Sequence, residues 1–231
     1  MKRLTVLTGA GISQESGIQT FRDVDGLWMG HKVTDVASPE GWKKNKKLVL
    51  DFYNARRRQL DEVQPNLAHK VLADLEKYFD VKIITQNVDD LHERAGSTNV
   101  IHLHGELKKM CSSLNKEKTL PYEKNIELGD KHPDGSHLRP FIVWFGESVP
   151  LYSHAIEAMR NSDIFIIIGT SMQVTPASQL INFYPVNNPL FILDKKIPEF
   201  EGSDNYSRFV RIEKSATEGI IELREHLSKL L

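Results

Sequence analysis

The sequence predicts an α/β fold, a parallel sheet with helices on both faces and a smaller module inserted into it. Three observations carry this expectation. Short, fully apolar segments recur at Leu4 to Leu7, Ile164 to Ile168 and Leu190 to Leu193. Segments with apolar residues at helical spacing lie between them. One long polar stretch, Lys108 to Arg139, interrupts the alternation. Apolar strands that lack an in-out alternation need cover on both faces, as a parallel sheet flanked by helices provides.

Taken in order, Leu4 to Leu7 reads as a buried strand running into Gly9-Ala10-Gly11. Asp23 to Lys47 is polar and aromatic without clean periodicity, and is expected to be a loop leading into a helix. Leu48 to Leu60 and Asn66 to Tyr78 are expected helices. In the second, Leu67, Val71, Leu72 and Leu75 share one face, and Asn66 after Pro65 is placed to cap it. Val81 to Thr85 is a strand. Lys108 to Arg139, with Asn115, Asn125, Gly129, Pro133 and Gly135, is the inserted module. Ile164 to Ile168, closed by Gly169, and Leu190 to Leu193 are further strands, and a helix from about Ala216 to Leu230 follows.

The chain has 231 residues, which fits one large domain or a large one carrying a small insert. Thirty basic residues against 31 acidic ones lack the cationic excess of a general nucleic-acid binder. With 40% hydrophobic and 26% charged residues the chain can bury a core and is not disordered. Cys111, the single cysteine, can form neither an internal disulfide nor a four-thiolate zinc site. The first residues hold too short an apolar stretch for a signal peptide, and Ile164 to Ile168, five residues, is the longest purely apolar run. A soluble cytoplasmic protein is the expectation, with no coiled-coil pattern to predict an oligomer.

Several residue groups carry chemistry. Gly9, Ala10, Gly11 and Ser13 follow a strand, where bare backbone can approach a pyrophosphate. A tight turn is the alternative, because Gln14 stands where the usual fingerprint has its third glycine. Gln86-Asn87-Val88-Asp89 follows the strand ending at Thr85, at the sheet edge where doubly wound folds bind ligands. Its amides and carboxylate suit a ribose and a carboxamide, and the alternative is a helix cap. His104 can act as general base near neutral pH, and the alternative, for it as for His102, is a packed, hydrogen-bonded histidine. His102 is expected to face the other way, and the remaining seven histidines are expected to be packed. Tyr53 and Arg56, three apart on a helix, can grip a carboxylate, unless Arg56 to Arg58 is simply a solvated basic face. The strand Phe141 to Glu147 can offer its backbone edge to a peptide or serve as core.

Five motifs occur in one order: GAGISQESGIQTFR from Gly9, TQNVDDLHERAGS from Thr85, HLHGEL from His102, RPFIVWFGE from Arg139 and GTS from Gly169. Together they resemble the sirtuins, NAD-dependent protein-lysine deacylases. The resemblance implies one catalytic domain over residues 1–231, Rossmann-like, with small-module insertions at about 23–65 and 108–139. NAD and an acyl-lysine protein substrate would enter a cleft from opposite sides. The implied roles place Gly9, Ala10, Gly11 and Ser13 along the phosphates, with Phe21 and Arg22 near the reacting sugar. Gln86 would contact the ribose, Asn87 would orient the ribose or a water, and Asp89 would bind the carboxamide. His104 would be the base, with Asn87 and Asp89 as its catalytic companions. Gly169, Thr170 and Ser171 would lie at the adenosine, with Asp194 standing where many relatives have asparagine and Ala216 touching adenine. Val143, Phe145, Gly146 and Glu147 would hold the substrate backbone. The implied products are lysine, nicotinamide and O-acyl-ADP-ribose. A protein ADP-ribosyltransferase and a non-catalytic NAD-binding module are the alternatives.

The Tyr-x-x-Arg pair Tyr53 and Arg56 resembles class III sirtuins, which remove succinyl and malonyl groups, some of them acetyl as well. One departure is plain. Most sirtuins carry four zinc-binding cysteines between the HGEL and WFGE segments, and this chain has only Cys111 there. No zinc is therefore expected, and Met110, Leu114, Leu120, Tyr122, Ile126 and Leu128 are expected to hold the module by packing. No nucleic-acid or membrane partner is implied.

Overall fold

The computed structural model describes residues 1–19, 27, 28, 30–198 and 209–231. The segment that holds Phe21 and Arg22 lies outside the described residues. Among the described residues, the strands are β1 (Arg3–Thr8), β2 (Leu27–Trp28), β3 (His31–Lys32), β4 (Asp80–Thr85), β5 (Val100–His102), β6 (Gly105–Ser112), β7 (Thr119–Pro121), β8 (Leu138–Ile142), β9 (Ile164–Ile168), β10 (Leu190–Asp194) and β11 (Phe209–Glu213). The helices are α1 (Ala10–Gln14), α2 (Val33–Val36), α3 (Pro39–Lys44), α4 (Lys46–Glu62), α5 (Leu67–Leu75), α6 (Leu91–Ala95), α7 (Tyr152–Arg160) and α8 (Ala216–Ser228), with a 3-10 helix at Ala177–Phe183.

The main sheet is parallel throughout, in the order β11-β10-β9-β1-β4-β5. The chain fills one side of β1 with β4 and β5, then crosses to build β9, β10 and β11 on the other. That reversal puts a crevice at the carboxyl ends of β1 and β9, where open α/β sheets bind ligands. Side chains alternate across each strand, so Val6, Ile164, Ile166 and Ile168 pack under α5 and α8. Leu7, Phe165 and Ile167 pack on the opposite face against α7 and the 3-10 helix. The five-residue run of β9 is buried at every position, which explains its unbroken apolar character.

The expected elements are present, with ends that differ by a few residues. Asn66 caps α5 as predicted, its side chain accepting from Ala68 N at 3.0 Å, but the regular helix stops at Leu75 and a turn carries the chain to Tyr78. Asp23 to Lys47 is less of a loop than expected, since its described part forms a small hairpin, β2 with β3, and the short helices α2 and α3. β5 and β11 had no expectation attached to them.

A second core gathers α4, Trp42, Trp144, β6 and β8. There β6 pairs antiparallel with β7 and β8 as a three-stranded sheet. The expected packing of this region is corrected in half of its members. Met110 and Ile126 are buried and Tyr122 packs beside them, but Leu114 is 84% exposed, Leu128 60%, and Leu120 is also exposed. Polar links add to the packing that remains. Asn54 on α4 donates to Ile126 O and accepts from Ile126 N, both at 2.9 Å. Arg57 donates to Leu107 O at 2.8 Å and to Lys124 O at 3.2 Å. Ser112 and Ser136 bond at 2.9 Å, and Asp134 accepts from Ser136 N at 3.0 Å. Burial pushes the Cys111 thiol up to about 11, so it stays protonated and unreactive.

Two buried histidines join α5 to α6. The rings of His69 and His92 meet edge to face at 4.9 Å. Burial lowers His69 from 6.5 to about 4, and holds His92 well below its ordinary value. A folded-state value below the unfolded one means the unfolded chain takes up the proton first. Stability is therefore complete above pH 6.5 and falls as pH drops toward 4. For His69 alone the loss is roughly 2 kcal/mol by pH 5. The thermal midpoint should fall between pH 7 and pH 5, and less steeply in His69→Gln. A parent midpoint flat over that range would contradict the burial of these rings as neutral groups.

Candidate active site

Loops at the carboxyl ends of β1, β4, β9 and β10 meet α4 and the 142–147 segment around a cavity of about 450 Å³. That volume is within the range of small-molecule sites. The glycine turn closes one wall. A Cβ on Gly9 would stand 2.7 Å from Gly169 O, and one on Gly11 would stand 2.6 Å from Gly169 Cα. Gly169 itself has φ +64, the left-handed region. These glycines are thus required by the close approach of two strand ends, beyond the bare wall that they present to a ligand. Gly9 N donates to Ile168 O at 3.0 Å and Gly11 N to Gly169 O at 2.8 Å.

The corner after β4 is bonded to that turn. Asn87 Nδ2 donates to Gly9 O and to Ser13 Oγ, both at 3.1 Å. Ser13 Oγ donates to Asp89 Oδ2 at 3.0 Å. Gln86 Nε2 reaches across to Thr170 Oγ1 at 2.9 Å. The capping alternative holds only in part. Asp90 is the N-cap of α6, without a side-chain bond, while Asp89 Oδ1 accepts from Leu91 N at 3.2 Å and its other oxygen faces Ser13. Burial pushes the Asp89 carboxyl up, against the bonds from Leu91 and Ser13 and the charge of His102.

His104 follows β5, and its Nδ1 meets Gln86 O at 3.0 Å. A carbonyl only accepts, so Nδ1 carries the proton and Nε2 keeps a lone pair. Burial lowers the His104 pKa, partly offset by the Gln86 bond, which leaves the ring neutral and basic at pH 7. His104 lines the cavity and His102 does not. The expectation that they diverge holds for a different reason from strand alternation, since residues two apart on a strand share a face. The strand ends at His102, and the chain has turned before His104.

Tyr53 and Arg56 project from α4 into the same cavity. Arg56 is buried, with its guanidinium 4.4 Å from the Trp28 ring centre, and burial lowers its pKa. Burial also pushes the Tyr53 phenol up, so it stays protonated. Both belong to the interior, which rules out a solvated basic face for Arg56. Asp194, at the end of β10, lines the cavity too, its carboxyl pushed up by burial.

The 142–147 segment departs from its expected form. β8 stops at Ile142, and the amides of Val143, Trp144 and Phe145 are taken by His104 O, Glu147 Oε2 and Ala37 O. Glu147 is also paired with Arg139 at 2.9 Å, which together with the Trp144 bond keeps its carboxyl low against burial. Val143, Phe145, Gly146 and Glu147 still line the cavity, with Phe145 half exposed. Gly9, Ala10, Gly11, Ser13, Gln86, Asn87, Asp89, Gly169, Thr170 and Ser171 line it as well. Ala216 does not; it opens α8 and packs in the main core. Trp28 and Trp144 are lining residues that carried no expectation as ligand contacts, because an indole reads first as core.

The profile of the Sir2 family matches residues 9–176, from the glycine turn past the Gly169 loop. The chain belongs to the Sir2 family. Among Sir2 relatives, an NAD-dependent protein deacylase of Bacteroides thetaiotaomicron is 50% identical over 234 residues, covering 98% of each chain. Another of that name, from Helicobacter pylori, is 57% identical over 196 residues, covering 85% of this chain and 86% of the relative. A solved Sir2 homolog in complex with NAD superposes with a TM-score of 0.85 at 36% identity, covering 99% of this chain and 90% of the other. Among the described residues of this Sir2 chain, no helix is long and apolar enough to cross a membrane, and no cluster of three or more His, Cys, Asp or Glu is arranged to hold a metal ion.

Proposed function

We propose that this chain, an NAD-dependent protein deacylase of the Sir2 family, favours lysine acyl groups that end in a carboxylate, succinyl and malonyl ahead of acetyl. The observation that supports this preference is a buried guanidinium and a phenol, Arg56 and Tyr53, on the cavity that also holds His104. A cation taken out of water favours an anionic guest, and arginine's planar fork matches a carboxylate.

The residues fit NAD. Glycines leave one wall without side chains, and Ser13, Thr170, Ser171 and Asp194 offer polar groups beside it. When bound, NAD supplies an electrophilic sugar carbon from which nicotinamide can leave. His104 Nε2 would accept a sugar hydroxyl proton, with Gln86 O holding the ring in its basic tautomer. Asn87 would orient the sugar or a water, and Asp89 would bind the carboxamide, with Gln86 at the ribose. Phe21 and Arg22 would lie near the reacting sugar. Val143, Phe145, Gly146 and Glu147 would flank the acyl-lysine strand of a protein substrate. Asp194 would accept from the adenosine ribose. We assign residues 1–231 to one catalytic domain, with the small module drawn from about 23–65 and 108–139.

Mass spectrometry of acetyl-, malonyl- and succinyl-lysine peptides, incubated with and without NAD, tests the preference. The expected result is NAD-dependent loss of the succinyl and malonyl groups faster than acetyl. Faster loss of acetyl would overturn it, and ADP-ribose left on protein would point to transferase chemistry instead.

A further inference from the structure

We infer that His102 and Glu93 form a charged pair that positions the Asn87–Asp89 corner, which makes them positioning residues for the reaction at His104. The pair rests on the assignment of Asn87 and Asp89 to the nucleotide site. His102 lies between two acceptors. Its Nδ1 meets Asn87 O at 3.2 Å and its Nε2 meets Glu93 Oε1 at 2.7 Å. A carbonyl and a carboxylate can only accept, so both ring nitrogens must donate and the ring is an imidazolium. His104 faces one such acceptor and stays neutral, and His92 faces the Thr8 hydroxyl at 3.0 Å, which can give or take. Two histidines two residues apart are thereby set to different charges by their neighbours.

The pair acts on the corner through its backbone. Asn87 is fixed on its amide side by Thr85 Oγ1 at 3.1 Å and at its side chain by Gly9 O and Ser13 Oγ. His102 supplies the bond to its carbonyl. Leu107 N also bonds Val88 O at 2.8 Å, so the corner survives loss of the pair but is held less closely. A reacting group displaced by a fraction of an ångström loses rate without loss of fold.

The groups facing His102 are Glu93 and His92 on α6, Glu106 on β6 and Asp89 on the corner, with Lys109 acting on Glu93. Burial opposes the charge on His102, and Glu93 then Glu106 more than restore it, so its pKa is raised. Above that value the ring keeps one proton, and the Glu93 carboxylate at 2.7 Å competes for it with the Asn87 carbonyl at 3.2 Å. Activity should then decline on the alkaline side.

Glu93→Gln removes the charge and keeps the shape, at a side chain 42% exposed, where folding tolerates the change. Expected at pH 6.5, below the raised His102 value, is a fall of about tenfold in kcat, with KM for the acyl peptide within about twofold. The fall should be equal on acetyl and succinyl peptides, the alkaline limb of kcat should move to lower pH, and Glu93→Asp should restore part of the rate. A kcat within twofold of the parent per folded molecule, or a loss explained wholly by a lower folded fraction, would overturn the pair's role. Asn87→Ala run alongside separates the causes. If it leaves kcat unchanged, the corner's assignment fails and the pair's role falls with it; if it abolishes turnover while Glu93→Gln does not, only the pair's role fails.

Discussion

His104→Ala should lower kcat/KM for NAD-dependent deacylation by about a thousandfold while NAD binding stays within about threefold of the parent. The size follows from the work assigned to one ring. Gln86 O fixes the proton on Nδ1, and Nε2 has no partner among the described residues. Alanine removes the acceptor and leaves the Gln86 carbonyl without its donor, but leaves the glycine turn, Asn87 and Asp89 bonded to one another. Single-turnover deacylation and NAD titration by calorimetry read the two quantities separately. Full activity in the variant would remove His104 as the base, and a parallel loss of NAD binding would make it a binding residue instead.

Arg56→Met should lower kcat/KM for succinyl-lysine peptides by about a hundredfold and for acetyl-lysine peptides by no more than about threefold. Charge-assisted bonds to a buried carboxylate contribute about 1.5–3 kcal/mol each, and an unpaired anion left in the pocket costs more. Methionine keeps the apolar stem beside Trp28 and Phe52, which the guanidinium covers at 4.4 and 5.9 Å, so lost packing is minimised. Steady-state kinetics on the two peptides check it. Equal losses would mean that Arg56 supports the pocket without selecting the acyl group.

Much of this was legible in the order of residues, and the limits have physical causes. β9 can be read without error because every residue of Ile164 to Ile168 is buried, between a polar Asp163 and a glycine. β5 is three residues with a histidine among them, and β11 is largely half-buried or exposed, so neither shows a period. The polar corner was readable because a strand end, two amides and a carboxylate are contiguous in the chain. The grip on the small module was not, because Asn54 and Ile126 meet across 72 positions and hydropathy assigns Leu114 and Leu128 to the interior where they are exposed. The His102 pair was hidden for the same reason: an imidazole's charge depends on the acceptors around it.

Helix α4 offers Tyr53 and Arg56 to the cavity, while Asn54 and Arg57, each one step along, hold the strip from Lys124 to Ile126. If Tyr53 and Arg56 select the acyl group as proposed, selector and strut are parts of a single lever. Sequence drift in that outer strip would be transmitted to acyl choice without any residue of the pocket being altered, so homologues with the same tyrosine and arginine need not share the same taste in substrates.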